Sequence, residues 1–175
     1  MERAAELTDF DAVVAEYWPR IYRFALGSLR DKGAAESLAQ DCLLKAWKAR
    51  DRFRGEASVS TWLMQIAVNL IRDRIRNRRL QFWKRTTEAS VDDLIVADGK
   101  SSPEKAASAR QQLAAVWNAT ASLPERQRTV FLLRFVEDMD LLEIAAATGL
   151  SEGTVKVHLF RALQAVRAKV KGAGQ

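Results

Sequence analysis

The residues best suited to chemistry lie near the end of the chain, between Ser151 and Gln164. Read as a helix, this stretch puts Val155, Leu159, Ala162, Leu163, Val166 and Val170 on one side, a core face. Thr154, Val157, Phe160, Arg161 and Gln164 fall on the opposite side, flanked by Lys156 and His158. An outward arginine can take guanine through two hydrogen bonds, and a small apolar side chain can meet a thymine methyl. Lys156 and the backbone amides at the helix start can hold phosphates. The chemistry is recognition of duplex DNA. The competing reading is a solvated helix whose Val157 and Phe160 bind another protein, because single exposed apolar residues are common. His158 alone reads as a surface or phosphate-contacting histidine.

Enzymatic classes find little to stand on. His158 is the only histidine and Cys42 the only cysteine. A Ser-His-Asp arrangement therefore has one candidate base, and no Cys/His cluster is available for zinc. No glycine loop of the phosphate-binding kind occurs. The reading is a non-enzyme with no cofactor, no metal and no small-molecule substrate. Lys plus Arg outnumber Asp plus Glu by 28 to 22, a net charge of +6, which favours polyanions. The first eleven residues are acidic and lack an apolar signal core, and no apolar run approaches a membrane span. These features predict a reduced, soluble, cytoplasmic chain.

The elements that must position the outward face are short and well signposted. Asp140 and Glu143 are spaced as a capping box before Leu142, Ile144, Ala145 and Ala146. Gly149 supplies a turn and Ser151 caps the next helix, the layout of a helix-turn-helix. Upstream the dominant period is also helical. Phe10, Val13, Val14, Tyr17, Ile21, Phe24, Ala25 and Leu29 form one stripe, interrupted by Pro19, which predicts a bend or break. A second helix is predicted from Gly33 to Trp47, with Leu38, Cys42 and Leu44 to Trp47 inside. Arg50 to Ser60 reads as a loop. A third helix, Thr61 to Arg79, carries Leu63, Ile66, Ala67, Leu70 and Ile71. Thr86 to Glu104 has net charge −4 and the punctuation Gly99, Ser101, Ser102 and Pro103, so it reads as a linker. Helices resume near Ala106, with Leu113, Val116, Trp117 and Leu123 as a stripe. Pro124 opens another helix, carrying Val130, Phe131, Leu132 and Phe135. The fold class is all-α: two small helical domains joined by a flexible acidic linker.

Leu123 to Val170, with its Leu-Pro-x-Arg-Gln-Arg opening and the Gly-Thr-Val-Lys start at Gly153, closely resembles region 4 of extracytoplasmic-function sigma factors of the bacterial sigma-70 family. Ala34 to Trp47 and Phe53 to Arg79 resemble region 2 of the same family. The resemblance implies an alternative sigma factor that binds core RNA polymerase and directs it to promoters. Residues 8–85 would be region 2, 86–105 the linker and 106–171 region 4. With Gln175 just beyond region 4, no regulatory C-terminal domain is expected.

The resemblance also implies roles. Ser151, Thr154, Lys156, Val157, His158, Phe160 and Arg161 would read the −35 element as duplex, with Val157 standing where many relatives carry serine or arginine. A loop from Arg54 to Thr61, with Gly55, Glu56, Ser58 and Ser60, would receive a base flipped from the −10 element. Gln65, Asn69, Arg72 and Arg76 on the following helix would hold its bases and backbone. Trp62 is read as core. Glu36, Gln40, Asp41 and Leu44 would dock on the clamp helices of the largest polymerase subunit, with Ser37 where relatives carry a second acid. The flap of the second-largest subunit is a further implied partner. So is an anti-sigma factor, which would hold the chain at the inner membrane. Three other readings compete: a helix-turn-helix regulator that never meets polymerase, a nucleic-acid enzyme, and an inactive paralogue that titrates a partner. The first lacks a visible phosphoacceptor domain, and the second lacks metal-binding carboxylates or a nucleophile.

Overall fold

The computed structural model describes residues 9–80 and 103–172, and every regular element among them is helical. Helix α1 spans Phe10–Leu29, and the Asp9 carboxylate accepts the Ala12 amide at 3.2 Å at its start. Arg30 ends it in the left-handed region at φ 57°. Asp31 then caps α2, Lys32–Ala49, by accepting the Ala34 amide at 2.9 Å. A 3-10 turn over Arg50–Arg52 and a loop through Gly55, φ 70°, lead to α3, Val59–Leu80. Four more helices follow: α4, Pro103–Ala121; α5, Glu125–Phe135; α6, Leu141–Thr148; and α7, Glu152–Gly172.

Helices α1, α2 and α3 pack on one another, and α7 packs against α4, α5 and α6. The two groups meet where α5 lies on α1 and α6 lies on α3. One apolar cluster runs through both, from Ile21, Phe24 and Leu63 to Leu132, Leu133, Ile144 and Val155. A smaller cluster of Ala119, Leu123, Phe131, Ala162 and Val166 belongs to the second group alone. Fully burying a side chain the size of Phe24 or Leu132 stabilises the fold by about 1.5–3 kcal/mol. Cys42 is buried in the first group with its thiol 3.5 Å from the Leu63 carbonyl, and burial pushes its pKa up to about 12.

Several expectations are corrected. Pro19 neither breaks nor ends α1, which continues for another ten residues. Pro19 and Ala15, whose carbonyl the proline leaves without its usual donor, are both exposed, so water can take that carbonyl. In α2 the inner positions are Leu38, Cys42, Leu43 and Ala46, whereas Leu44 and Trp47 are exposed. Trp47 packs edge-on to Phe10 at 5.0 Å and lies under the Arg50 guanidinium at 3.6 Å. Leu113 and Phe135 are also exposed. Phe135 stacks on Phe131 at 4.7 Å. Helix α3 begins at Val59 and α4 at Pro103, both earlier than the sequence pattern suggests. Most of the acidic linker, including Glu88, Asp92, Asp93 and Asp98, lies outside the described residues.

Candidate nucleic-acid interface

The helix-turn-helix is built by local hydrogen bonds. The Asp140 carboxylate accepts the Glu143 amide at 2.8 Å, while the Glu143 carboxylate accepts the Asp140 amide at 2.9 Å. This reciprocal pair starts α6. Gly149 ends it at φ 72°, where a side chain would be strained, and its amide donates to the Ala145 carbonyl. Two residues on, the Ser151 hydroxyl accepts the Thr154 amide at 3.2 Å and starts α7.

Those devices fix the phase of α7. Val155, Ala162 and Val166 are buried, with Leu159, Leu163 and Val170 partly so. Val157, Phe160, Arg161 and Gln164 are exposed, and Phe160 at 61% is among the most open large apolar residues described. The predicted face therefore exists, but its members are not equivalent. Thr154 is partly buried and shares its hydroxyl with Ser151 at 2.8 Å, so both serve the cap. Lys156 is paired with Glu152 at 2.6 Å. His158 is partly buried, with its Nδ1 out of contact with water and without a hydrogen-bond partner. Burial holds its pKa below the ordinary value, helped by Arg126 and Arg161 nearby, so it is neutral at physiological pH and adds no cation for a phosphate.

The second candidate region repeats the capping device. The Ser58 hydroxyl accepts the Thr61 amide at 3.1 Å and lies 2.9 Å from the Thr61 hydroxyl, and Thr61 is 4% exposed. Ser58 and Thr61 are thus committed to starting α3. Arg54, Glu56 and Gln65 instead line a cavity of about 210 Å³ with Arg52, Phe53, Ala57 and Trp62. Trp62 is only partly buried, packs on Phe53 at 4.9 Å, and forms a wall of that cavity; it is not simply core.

On α3 the arginines divide by face. Arg74 donates to the Ala34 carbonyl at 2.7 Å, to Ser37 at 3.0 Å and to Asp41 at 2.6 Å. Arg78 reaches the Leu29 carbonyl at 3.4 Å and Asp31 at 3.2 Å. These two tie α3 to α1 and α2. Gln65, Asn69, Arg72 and Arg76 lie on another, exposed side. Arg76 pairs with Asp73 at 3.0 Å, and Arg72 donates to the Thr148 carbonyl of α6 at 3.3 Å.

Glu36, Gln40, Asp41 and Leu44 are all exposed on α2 and share one side by their spacing. Asp41 and Ser37 both receive Arg74, a structural use that their sequence context does not reveal. Sequence reasoning also missed the arginines that join the two helical groups: Arg20, Arg30 and Arg128. Arg128 is the most engaged, donating to the carbonyls of Ser28, Thr120, Ala121 and Leu123, and burial holds its pKa below the usual arginine value. Its place in the Leu-Pro-x-Arg-Gln-Arg opening is the one signal that could have flagged it.

Comparison with known proteins gives matches along most of the chain. Residues 13–81 match the family model of sigma-70 region 2, and residues 113–166 that of sigma-70 region 4. The chain is 30% identical to the ECF RNA polymerase sigma factor SigW of Bacillus subtilis, over 93% of this chain and 89% of that protein. It is also 30% identical to the ECF RNA polymerase sigma-E factor of Escherichia coli K12, over 79% and 75%. Among solved structures it resembles the sigma factor RpoE in complex with the anti-sigma factor NepR from Bartonella quintana, with TM-score 0.74, 24% identity and 93% and 97% coverage of the two chains. It also resembles CnrH in complex with the cytosolic domain of CnrY, with TM-score 0.69, 23% identity and 98% and 94% coverage.

Proposed function

The chain belongs to the extracytoplasmic-function sigma factors of the sigma-70 family, and from that membership we propose how its residues divide the work of promoter recognition. It is an alternative sigma factor: it binds core RNA polymerase and confers promoter-specific initiation. Residues 8–85 form the part that engages polymerase and the −10 element, and 106–171, extended back to Pro103 by α4, the part that reads −35. The acidic linker joins them.

The observation that carries the −35 assignment is the capped Gly149 turn, which leaves Val157, Phe160, Arg161 and Gln164 facing outward on α7. Arg161 is the hydrogen-bonding reader of a base edge, and Val157 and Phe160 meet apolar base surface. Ser151 and Thr154 present the α7 amides to a phosphate, and Lys156 follows the backbone once it leaves Glu152. His158 sits at the edge of the contact as a neutral group. For the −10 element, the cavity beside Gly55 takes the flipped base: Trp62 and Phe53 supply aromatic surface, and Arg54, Glu56 and Gln65 supply polar partners. Asn69, Arg72 and Arg76 continue along the unpaired strand. Ser58 and Thr61 act indirectly, by fixing where α3 begins.

Glu36, Gln40, Asp41 and Leu44 form the docking face for the clamp helices, and the second helical group meets the flap of the second-largest subunit. An anti-sigma factor is the regulating partner, a reading supported by the partners named with the resembling structures. No described helix is long and apolar enough to cross a membrane. Action in the cytoplasm, with retention at the inner membrane through that partner, follows as part of the same proposal. The protein carries out no bond-making chemistry itself; that belongs to the polymerase.

The test is reconstituted transcription with bacterial core polymerase on a promoter library. Specific initiation from a shared two-part promoter is expected. Core binding without initiation from any library member would favour a titrating paralogue, and no core binding would favour a stand-alone regulator.

A further inference from the structure

Helix α2 has one aromatic side chain, Trp47, and it stays 43% exposed although it is held on two sides. Phe10 of α1 meets its ring edge-on at 5.0 Å. The Arg50 guanidinium lies over the indole at 3.6 Å, and Arg50 Nη1 donates to the Trp47 carbonyl at 2.7 Å. The ring is therefore fixed before any partner arrives, so little side-chain freedom is lost when one does. Beside it opens a notch of about 430 Å³, lined by Asp9, Phe10, Asp11 and Trp47.

Charge decides what the notch takes. Asp9 and Asp11 are exposed, and among the described residues neither is ion-paired. Asp9 caps α1 through Oδ1, which leaves Oδ2 for a partner. Two carboxylates beside an aromatic pair, on a chain of net charge +6, make a local site for a cation. A guanidinium fits best, because its plane stacks on a ring while its N–H groups reach carboxylates. Arg50 already shows the stacking half of that geometry on the same indole. Position decides whose cation it is. At 3.6 residues per turn, Trp47 falls with Glu36, Gln40 and Leu44 within about 80° of arc on α2. The notch thus continues the side of α2 assigned above to the clamp helices, and extends it onto the first turn of α1.

We propose that this notch is the aromatic anchor of the polymerase interface and receives an arginine side chain from the clamp of the largest subunit. The inference rests on the sigma-factor reading and adds to it a subsite made by α1. Tryptophan and arginine carry a large share of binding energy where they meet in a pocket shielded by neighbouring contacts. Leu44 and Gln40 are placed to supply that shielding. Asp11 supplies the charge, and Arg50 holds the indole in place.

The test measures affinity of the full chain for core polymerase, by competition against labelled wild type at two salt concentrations. Trp47→Ala removes the ring. Asp11→Lys puts an ammonium into the notch and leaves the Trp47–Phe10 contact alone. Leu44→Ala is the control on the neighbouring face, and thermal melting by circular dichroism checks the fold. Trp47→Ala and Asp11→Lys should each weaken core binding by about tenfold or more. Asp11→Lys should keep the wild-type melting temperature, Asp11→Asn should flatten the salt dependence, and binding to a −35 duplex should not change. Wild-type core affinity in Asp11→Lys overturns the proposal. So does wild-type core affinity in Trp47→Ala: with a lowered melting temperature it would give the notch to the chain's own residues 1–8, and with loss of a dimer to a second copy. Weakened binding in Leu44→Ala alone would leave the sigma-factor reading standing and remove the notch from it. No core binding by the wild type would overturn the sigma-factor reading itself.

Discussion

Arg161 and Arg74 carry the same charge in very different surroundings. Arg161 stands exposed on α7, while Arg74 is held by a carbonyl, a hydroxyl and a carboxylate of α2. Only the first has its donors turned toward solvent for a base edge. Arg161→Ala should therefore weaken binding to the matched −35 duplex by about 1–3 kcal/mol, as for loss of a two-bond guanine contact. Titration of matched and scrambled duplexes at one salt concentration checks this. An equal loss on both would reduce Arg161 to a phosphate contact. Along α3 the sequence singles out Arg72 and Arg76 with Gln65 and Asn69, and leaves Arg74 and Arg78 aside. What that second pair holds depends on Ala34, Asp41, Leu29 and Asp31, residues brought close only by tertiary packing.

Helices α3 and α7 start with the same pattern, a serine whose hydroxyl accepts the amide three residues on, with a threonine at that position. Each cap is worth about 1 kcal/mol, and Ser151→Ala or Ser58→Ala should lower stability by that amount. Urea unfolding midpoints would show it, and no shift in either would mean that the cap is replaced by water. Such local devices are why the helix-turn-helix was legible: Asp140, Glu143, Gly149 and Ser151 act within a few residues of one another. Misassignments arose where a distant neighbour decides. Leu44, Trp47, Leu113 and Phe135 fit helical stripes yet stay exposed, because no element among the described residues covers them fully. Pro19 satisfies a rule for breaking helices, but it and Ala15, whose carbonyl loses its usual donor, are both exposed residues. The run Phe24 to Leu29 was the missed clue: apolar or small residues on all sides of a helix announce a second layer.

Across the whole molecule, one apolar cluster spans both helical groups, so neither has a core of its own that is fully closed. Denaturation should then be a single cooperative transition by both circular dichroism and tryptophan fluorescence. Two separated transitions would mean that the groups are energetically independent and that the contacts between them contribute little. The sequence could not foresee this sharing, since the resemblance describes two domains in chain order and says nothing of their contact. Cys42, the chain's only thiol, lies within that cluster with a pKa pushed up to about 12. The native protein accordingly presents no sulfur nucleophile: Ellman's reagent should find none until denaturant is added, and then one per chain. An oxidant or electrophile able to silence exposed-cysteine proteins would leave this one chemically untouched for as long as it stays folded.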